Sequence, residues 1–275
     1  MRLHHTLHGS GPLLVLLHGL GGSADDWELQ VPAFSQRYTV LTLDMRGHGR
    51  SLPPRARPSF TVQQMADDVA ALIESLPHFP PTHLHTTPPF PHTSTHVLGL
   101  SLGGCVALAL ALRHPQLVRS LVLVNTFARY QAAGVGGAGR FLRRLWLFAF
   151  APMPVLAAFI ARGLFPRPEQ RPLYDIAVEH LSRNTKAHYW AAMRAVAALD
   201  LRPLLARITC PALVLAGDRD RTVARSAAEA LQRGLPRARF TLVPDSGHAT
   251  PYDQSETFNR LVLGFLAETD ADAPH

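Results

Sequence analysis

Three side chains far apart in the sequence, Ser101, Asp220 and His248, are of the types that together transfer an acyl group to water. Ser101 stands in Gly99-Leu100-Ser101-Leu102-Gly103-Gly104. An apolar and β-branched run from Thr95 to Leu98 precedes it, and an almost wholly apolar stretch from Leu102 to Leu112 follows. The pattern G-x-S-x-G alone has many chance matches. Between a strand and a helix it predicts a nucleophile elbow, a strained turn that lifts the serine hydroxyl above a sheet. Gly99 and Gly103 then sit where strand and helix cross too closely for side chains. The competing reading is an ordinary Gly-rich βα turn, and the presence or absence of partner residues decides between them.

A serine hydroxyl is a weak nucleophile at neutral pH and needs a base within hydrogen-bond reach. His248 fits, on a loop after the last predicted strand and in the chain order Ser, Asp, His that accompanies the elbow. His18 and His48 also lie at strand ends, but their glycine-flanked turns suit loop-shaping roles. The base needs a carboxylate to fix its tautomer and steady the imidazolium. Asp220 and Asp218 compete for that place. Asp220 is favoured because it lies deeper in its loop, whereas Asp218 directly follows a strand and suits a turn cap. Asp245 is closer to the histidine in sequence and reads as a turn residue. The oxyanion needs backbone N–H donors, for which Leu102, next after the serine, and Leu20, next after His18-Gly19, are the candidates. This chemistry needs no metal and no organic cofactor.

These residues must be held at the ends of strands. Leu13 to Leu17 is a continuous apolar run of the kind buried on both faces of a parallel sheet, and Tyr38 to Leu43, Ser120 to Asn125 and Ala212 to Ala216 read as further buried strands. Arg239 to Val243 is a last strand, and Arg2 to Leu7 is a first strand or half of a hairpin closing at Gly9-Ser10-Gly11. Between them fall helical patterns: one opened by Ser23 and Asp26 through Trp27 and Val31, one capped by Thr61 and Gln64, and a final one carrying Phe258, Leu261, Val262 and Phe265. Alternating strands and helices imply an α/β fold with a mostly parallel sheet covered on both faces. Functional groups then gather beyond the C-terminal strand ends.

Two stretches depart from that rhythm. Pro77 to Thr95, dense in Pro, Thr and His, reads as a flexible loop within the core, and its histidines with His96 as solvated, since their spacing fits no zinc pattern. Residues 126–208 lack strand texture and read as a helical cap inserted between two parts of the core, 1–125 and 209–275. The cap holds an Arg-aromatic helix from Phe141 to Phe150, in which Arg140, Arg143 and Arg144 flank Trp146 and Phe148. Packing of that helix against substrate and core is expected ahead of interfacial membrane contact, and its apolar pieces are too short to span a bilayer.

Taken together, His18-Gly19-Leu20-Gly21-Gly22, Asp44-Met45-Arg46-Gly47-His48-Gly49-Arg50-Ser51, the elbow, Gly217-Asp218-Arg219-Asp220 and Gly247-His248 resemble the α/β-hydrolase superfamily over nearly the whole chain. The resemblance implies a Ser-His-Asp hydrolase and adds weight to Asp220, because members commonly place the acid in a Gly-x-x-Asp spacing. It also implies that the cap lies between the sixth and seventh strands of that fold. The elbow is similar to that of 3-oxoadipate enol-lactonases and small-ester carboxylesterases. Related dehalogenases and epoxide hydrolases carry Asp where this chain has Ser101.

The leading expectation is therefore a carboxylic-ester hydrolase acting on a small-molecule ester with an apolar, short-to-medium acyl group. An enol-lactonase or carbon–carbon bond hydrolase is the alternative, and a low-turnover ligand-binding receptor the third. Composition agrees with a globular enzyme: 47% hydrophobic and 17% charged residues over 275 positions. The formal charge of +7 comes almost wholly from scattered arginines, without any nucleic-acid-binding motif, so no nucleic-acid partner is expected. Cys105 and Cys210, the only cysteines, read as small core residues without a disulfide framework. The N-terminus has no signal-peptide core and no transmembrane stretch, so a cytoplasmic location without stable membrane insertion is expected. Nothing in the sequence specifies an oligomer.

Overall fold

The computed structural model describes residues 1–52, 58–76, 94–130 and 137–271. Most of the loop read at 77–95, and the start of the cap at 131–136, lie outside the described residues. The strands are β1 (His5–His8), β2 (Leu13–Leu17), β3 (Thr39–Leu43), β4 (Thr95–Leu100), β5 (Val118–Val124), β6 (Ala212–Gly217) and β7 (Ala238–Val243). They form one seven-stranded sheet in the order β1-β3-β2-β4-β5-β6-β7. Every pairing is parallel except β1 with β3. The first strand is thus an edge strand beside β3, and Gly9-Ser10-Gly11 closes no hairpin with β2.

The helices are α1 (Val31–Phe34), α2 (Val62–Ser75), α3 (Leu102–Arg113), α4 (Gly137–Phe150), α5 (Met153–Leu164), α6 (Arg171–Ser182), α7 (Lys186–Ala197), α8 (Arg225–Gly234), α9 (Thr250–Asp253) and α10 (Ser255–Ala271). The period of two along each strand sends alternate residues to opposite cores. Val15, Leu17, Val97, Leu121 and Leu123 face α2 and α3. Leu14, Leu16, Leu98, Val122 and Val124 face Trp27, Phe34 and the Phe258, Val262, Leu266 stripe of α10. Each such side chain contributes about 1.5–3 kcal/mol on burial. α3 is buried along nearly its whole length, which explains why its sequence lacks an amphipathic pattern.

Two local expectations need correction. Ser23 and Asp26 do form a capping box, but it opens only a 3₁₀ turn over Ala24–Trp27. Pro32 has no N–H to continue that turn and instead sits in the first turn of the separate α1. Thr95 and His96 belong to β4 and not to the flexible loop. His96 is buried, not solvated: its ring nitrogens lie 2.7 Å from Ser120 Oγ and 3.1 Å from an oxygen of Asp270. Those partners offset the cost of burying a polar ring.

Helices α4 to α7 all fall between β5 and β6 in the chain. They pack over the loop that follows β2: Asn184 Nδ2 donates to the Gly21 carbonyl at 2.7 Å, and His180 Nδ1 lies 3.1 Å from Asp26 Oδ1.

Candidate active site

β4 delivers Leu100 into a turn that must reverse into α3 within a single residue. That residue is Ser101, with φ of 53° and ψ of −112°, a sparsely populated positive-φ conformation that costs roughly 1–3 kcal/mol. The surrounding hydrogen bonds hold it there. The Ser101 N–H donates to the Val124 carbonyl at 2.9 Å, and Thr126 Oγ1 donates to the Ser101 carbonyl at 2.6 Å. A Cβ at Gly99 would run into the Gly103 backbone, and one at Gly103 into the Leu17 carbonyl oxygen. Both glycines are needed because β2, β4 and α3 meet backbone to backbone. With its main chain so occupied, Ser101 is left on the wall of a cavity.

His248 follows β7 and lines the same cavity. Its Nδ1 lies 2.7 Å from Asp220 Oδ2, and both side chains are less than a tenth exposed. The other carboxylate oxygen, Asp220 Oδ1, accepts the N–H groups of Thr222 at 2.7 Å and Val223 at 3.1 Å. Asp220 is therefore oriented on one side by its own loop and turned to the imidazole on the other. Asp218 is exposed and accepts the N–H of Ser246 at 3.2 Å. That is a turn-capping use, away from the ring. Asp245 has φ of 58° and pairs with Arg219, also outside the cavity.

Leu102 is the first residue of α3, where backbone N–H groups have no partner within the helix. Leu20 and Leu102 line the cavity with Ser101. His18 and His48 serve the frame. His18 Nε2 accepts the Met45 N–H at 3.0 Å, so the proton sits on Nδ1, which donates to the Gly19 carbonyl at 2.8 Å. The ring thereby ties the end of β3 to the turn that carries Leu20. Burial lowers its basicity and keeps it neutral. His48 packs edge-on against it with centroids 5.0 Å apart, and burial pushes its pKa down to about 3. Cys105, buried under the elbow with its thiol toward the Phe127 carbonyl, is pushed up to about 12 and is inert as a nucleophile.

Two residues that sequence reasoning passed over hold the histidine loop. Asn125, at the end of β5 with φ of 46°, donates through Nδ2 to the His248 carbonyl and to Thr250 Oγ1, both at 2.7 Å. Its Oδ1 accepts the Gly217 N–H at 2.8 Å. Asp253 accepts the Gly247 N–H at 2.6 Å and the Ser246 hydroxyl at 2.8 Å. The one local hint was an asparagine ending an apolar strand, a residue type that tolerates the left-handed region.

The cavity has a volume of about 740 Å³. Its floor is the strand-end turns, and much of its wall comes from α4 to α7, including Leu147, Phe159, Ile160, Ile176 and Met193. Asp26 and His180 bridge floor and wall, and the hydrogen bond to Asp26 raises the His180 pKa. Among the described residues no group of His, Cys, Asp and Glu could hold a metal ion.

A serine on a positive-φ strand-to-helix turn and an imidazole bonded to a carboxylate thus share one cavity at the strand ends of a mostly parallel sheet, beneath helices inserted between β5 and β6. The chain belongs to the alpha/beta hydrolase family, whose model matches residues 14–261. It is 32% identical, over 97% of both chains, to a protein of Stutzerimonas stutzeri (strain A1501) named carbamate hydrolase RutD. It is similar to the crystal structure of the enol-lactonase from Burkholderia xenovorans LB400, with a TM-score of 0.82, 27% identity and 96% of each chain covered. A thermophilic esterase from Thermogutta terrifontis matches with a TM-score of 0.77 at 26% identity, over 97% of this chain and 93% of its own.

Proposed function

We propose that the protein hydrolyses carboxylic esters with apolar, short-to-medium acyl groups through an acyl-enzyme on Ser101. The observation that carries this reading is the common wall: Ser101 and His248 face one largely aliphatic and aromatic cavity, with Asp220 bonded to the far side of the imidazole. Asp220 fixes the proton on Nδ1, so Nε2 is the basic nitrogen. It takes the Ser101 proton as Oγ attacks the carbonyl carbon. The negative charge on the carbonyl oxygen falls to the N–H groups of Leu102 and Leu20, each such donor being worth about 2.7–4 kcal/mol in the transition state. The alcohol departs with the proton from His248, and water repeats the sequence to release the acid.

The names of the relatives bear on the substrate. A bare carbamate would occupy a small fraction of a 740 Å³ apolar cavity, so an ester with a substantial acyl group is the better fit. Similarity to an enol-lactonase supports a second reading, a lactone with a carboxylate, toward which the cavity wall offers the guanidinium groups of Arg143, Arg162 and Arg221.

The test is a panel of p-nitrophenyl esters of increasing acyl length, set beside aryl carbamates and carboxylated enol-lactones, with Ser101→Ala as control. Turnover should favour the apolar esters and vanish in Ser101→Ala. Hydrolysis that survives the substitution overturns the serine mechanism, and a preference for the carboxylated lactones overturns the substrate class.

A further inference from the structure

The arginine-rich helix of the insertion does not hide all its apolar residues. In α4, Leu147 is buried on the cavity wall and Phe148 is stacked on Trp190 with centroids 5.0 Å apart. Leu142, Trp146 and Phe150 point the other way and are 64%, 61% and 74% exposed. Spaced by four, they form one outward stripe along the helix. Val155 on α5 and Trp190 on α7 extend the exposed apolar surface of the insertion. The expected packing of this helix against the cavity and core accounts for Leu147 but not for the exposed stripe.

Charge says what could cover it. Between Glu74 and Glu169 the chain carries no Asp or Glu, whereas α4 alone carries Arg140, Arg143 and Arg144. Arg143 is exposed and lies over the Phe159 ring at 5.2 Å, and Lys186 sits 5.6 Å from the Phe148 ring. A second copy docked stripe to stripe would bring two stretches of like positive charge together, with no carboxylate between Glu74 and Glu169 to offset it. A lipid surface with anionic headgroups meets both needs at once: acyl chains for Leu142, Trp146 and Phe150, and negative charge for the exposed Arg143 and for a stretch of chain whose charged residues are all basic.

We propose that α4 lies in the plane of an anionic lipid–water interface as a peripheral docking helix. Arg143 and Leu147 of the same helix line the cavity, so docking brings the cavity rim to the place where apolar esters partition. The docking itself does not rest on the chemistry proposed for Ser101.

The experiment is co-sedimentation of the full chain with phosphatidylcholine vesicles and with mixed phosphatidylcholine–phosphatidylglycerol vesicles. The wild type and Ser101→Ala should both pellet with the mixed vesicles and largely escape neutral ones. Trp146→Ser with Phe150→Ser should weaken that partition roughly tenfold. Arg143→Glu, an independent and less apolar change, should weaken it by more than about fivefold, the effect of one basic residue at such a surface. Absence of binding to the mixed vesicles overturns the proposal. So does equal binding to neutral vesicles, or binding that neither variant reduces. A concentration-dependent dimer that the double substitution dissolves would assign the stripe to a second copy and overturn it as well. Loss of ester hydrolysis in Ser101→Ala with vesicle binding intact keeps the two proposals separate.

Discussion

Asn125 Nδ2 donates to the main-chain oxygen of His248 at 2.7 Å, while Asn125 Oδ1 receives the N–H of Gly217. One amide thus joins the ends of β5 and β6 and the loop carrying the imidazole. It acts on the histidine through the backbone, as a positioning residue. Asn125→Asp keeps the acceptor for Gly217 and the left-handed conformation, but it sets an oxygen against the His248 carbonyl. A buried carbonyl left without its donor costs about 1–3 kcal/mol. The expected outcome is a lower Tm and a kcat that falls by more than KM rises. The added negative charge should also move the acid limb of kcat/KM to higher pH, because it favours the imidazolium. Asn125→Gly, which removes the contacts without adding charge, should lose rate without moving that limb. An unchanged rate in both variants would show that the amide serves stability alone.

The choice between the two aspartates of Gly217-Asp218-Arg219-Asp220 can be checked directly. In Asp220→Asn, Oδ1 can still accept from Thr222 and Val223, but an NH₂ would face His248 Nδ1. The ring would then carry its proton on Nε2 and could not accept one from Ser101, a fault that costs roughly 10⁴ in kcat in comparable triads. Asp218→Asn keeps an oxygen for the Ser246 N–H and should change kcat by no more than about twofold, as surface substitutions do. Steady-state kinetics of the two variants on one ester decide it. Comparable losses in both would mean that the loop, not the carboxylate on His248, is what matters.

These two loops also mark how far the sequence could be read. Strand ends announced themselves because glycine clusters interrupt apolar runs, as at His18-Gly19, Gly99-Leu100-Ser101 and Gly217-Asp218. Asp218 and Asp220 could be ranked because a residue directly after a strand suits a turn cap. Asn125 could not be assigned, because the partners of its side chain lie about a hundred positions further along the chain and only the sheet order brings them near. His96 was misplaced for a related reason: a polar ring after a Pro-, Thr- and His-rich stretch looks solvated until Ser120 and Asp270 arrive from other elements. The bridge from Asp26 to His180 was equally invisible, since no local pattern reports which insertion helix covers which loop.

That bridge makes stability depend on pH from one side, and the buried His48 from the other. The His180 pKa is raised by its hydrogen bond to Asp26, so its contribution is full below the ordinary value of 6.5 and fades as pH rises through the folded value. The Tm difference between wild type and His180→Gln should therefore shrink in alkaline buffer. His48 stays neutral down to about pH 3 in the folded chain but takes a proton below 6.5 when unfolded. Folding then loses up to about 1.4 kcal/mol per pH unit below 6.5 on its account. Thermal melts across the acid range should fall less steeply for His48→Asn than for the wild type. A parallel decline in both would exclude His48 as the source.

Two glycine-to-alanine changes test whether the elbow is held by backbone contact or merely tolerates it. Gly264 is exposed in the interior of α10, and an added methyl would meet nothing within 4 Å. There alanine should only restrict the unfolded chain and favour the helix, gaining about 0.5–1 kcal/mol, or roughly 1–2 °C in Tm. Gly103 is also helical, so propensity alone would forecast the same gain. Its methyl, however, would overlap the Leu17 carbonyl oxygen, main-chain atoms of β2 that cannot turn aside as a side chain could. α3 would have to lift off β2, carrying Ser101 and the Leu102 N–H away from Leu20. Gly103→Ala should thus lose about 1–3 kcal/mol of stability and most of its activity, reversing the sign of the effect at Gly264. Equal stabilisation at both positions, measured by thermal melts, would show that strand and helix are not in backbone contact at the elbow.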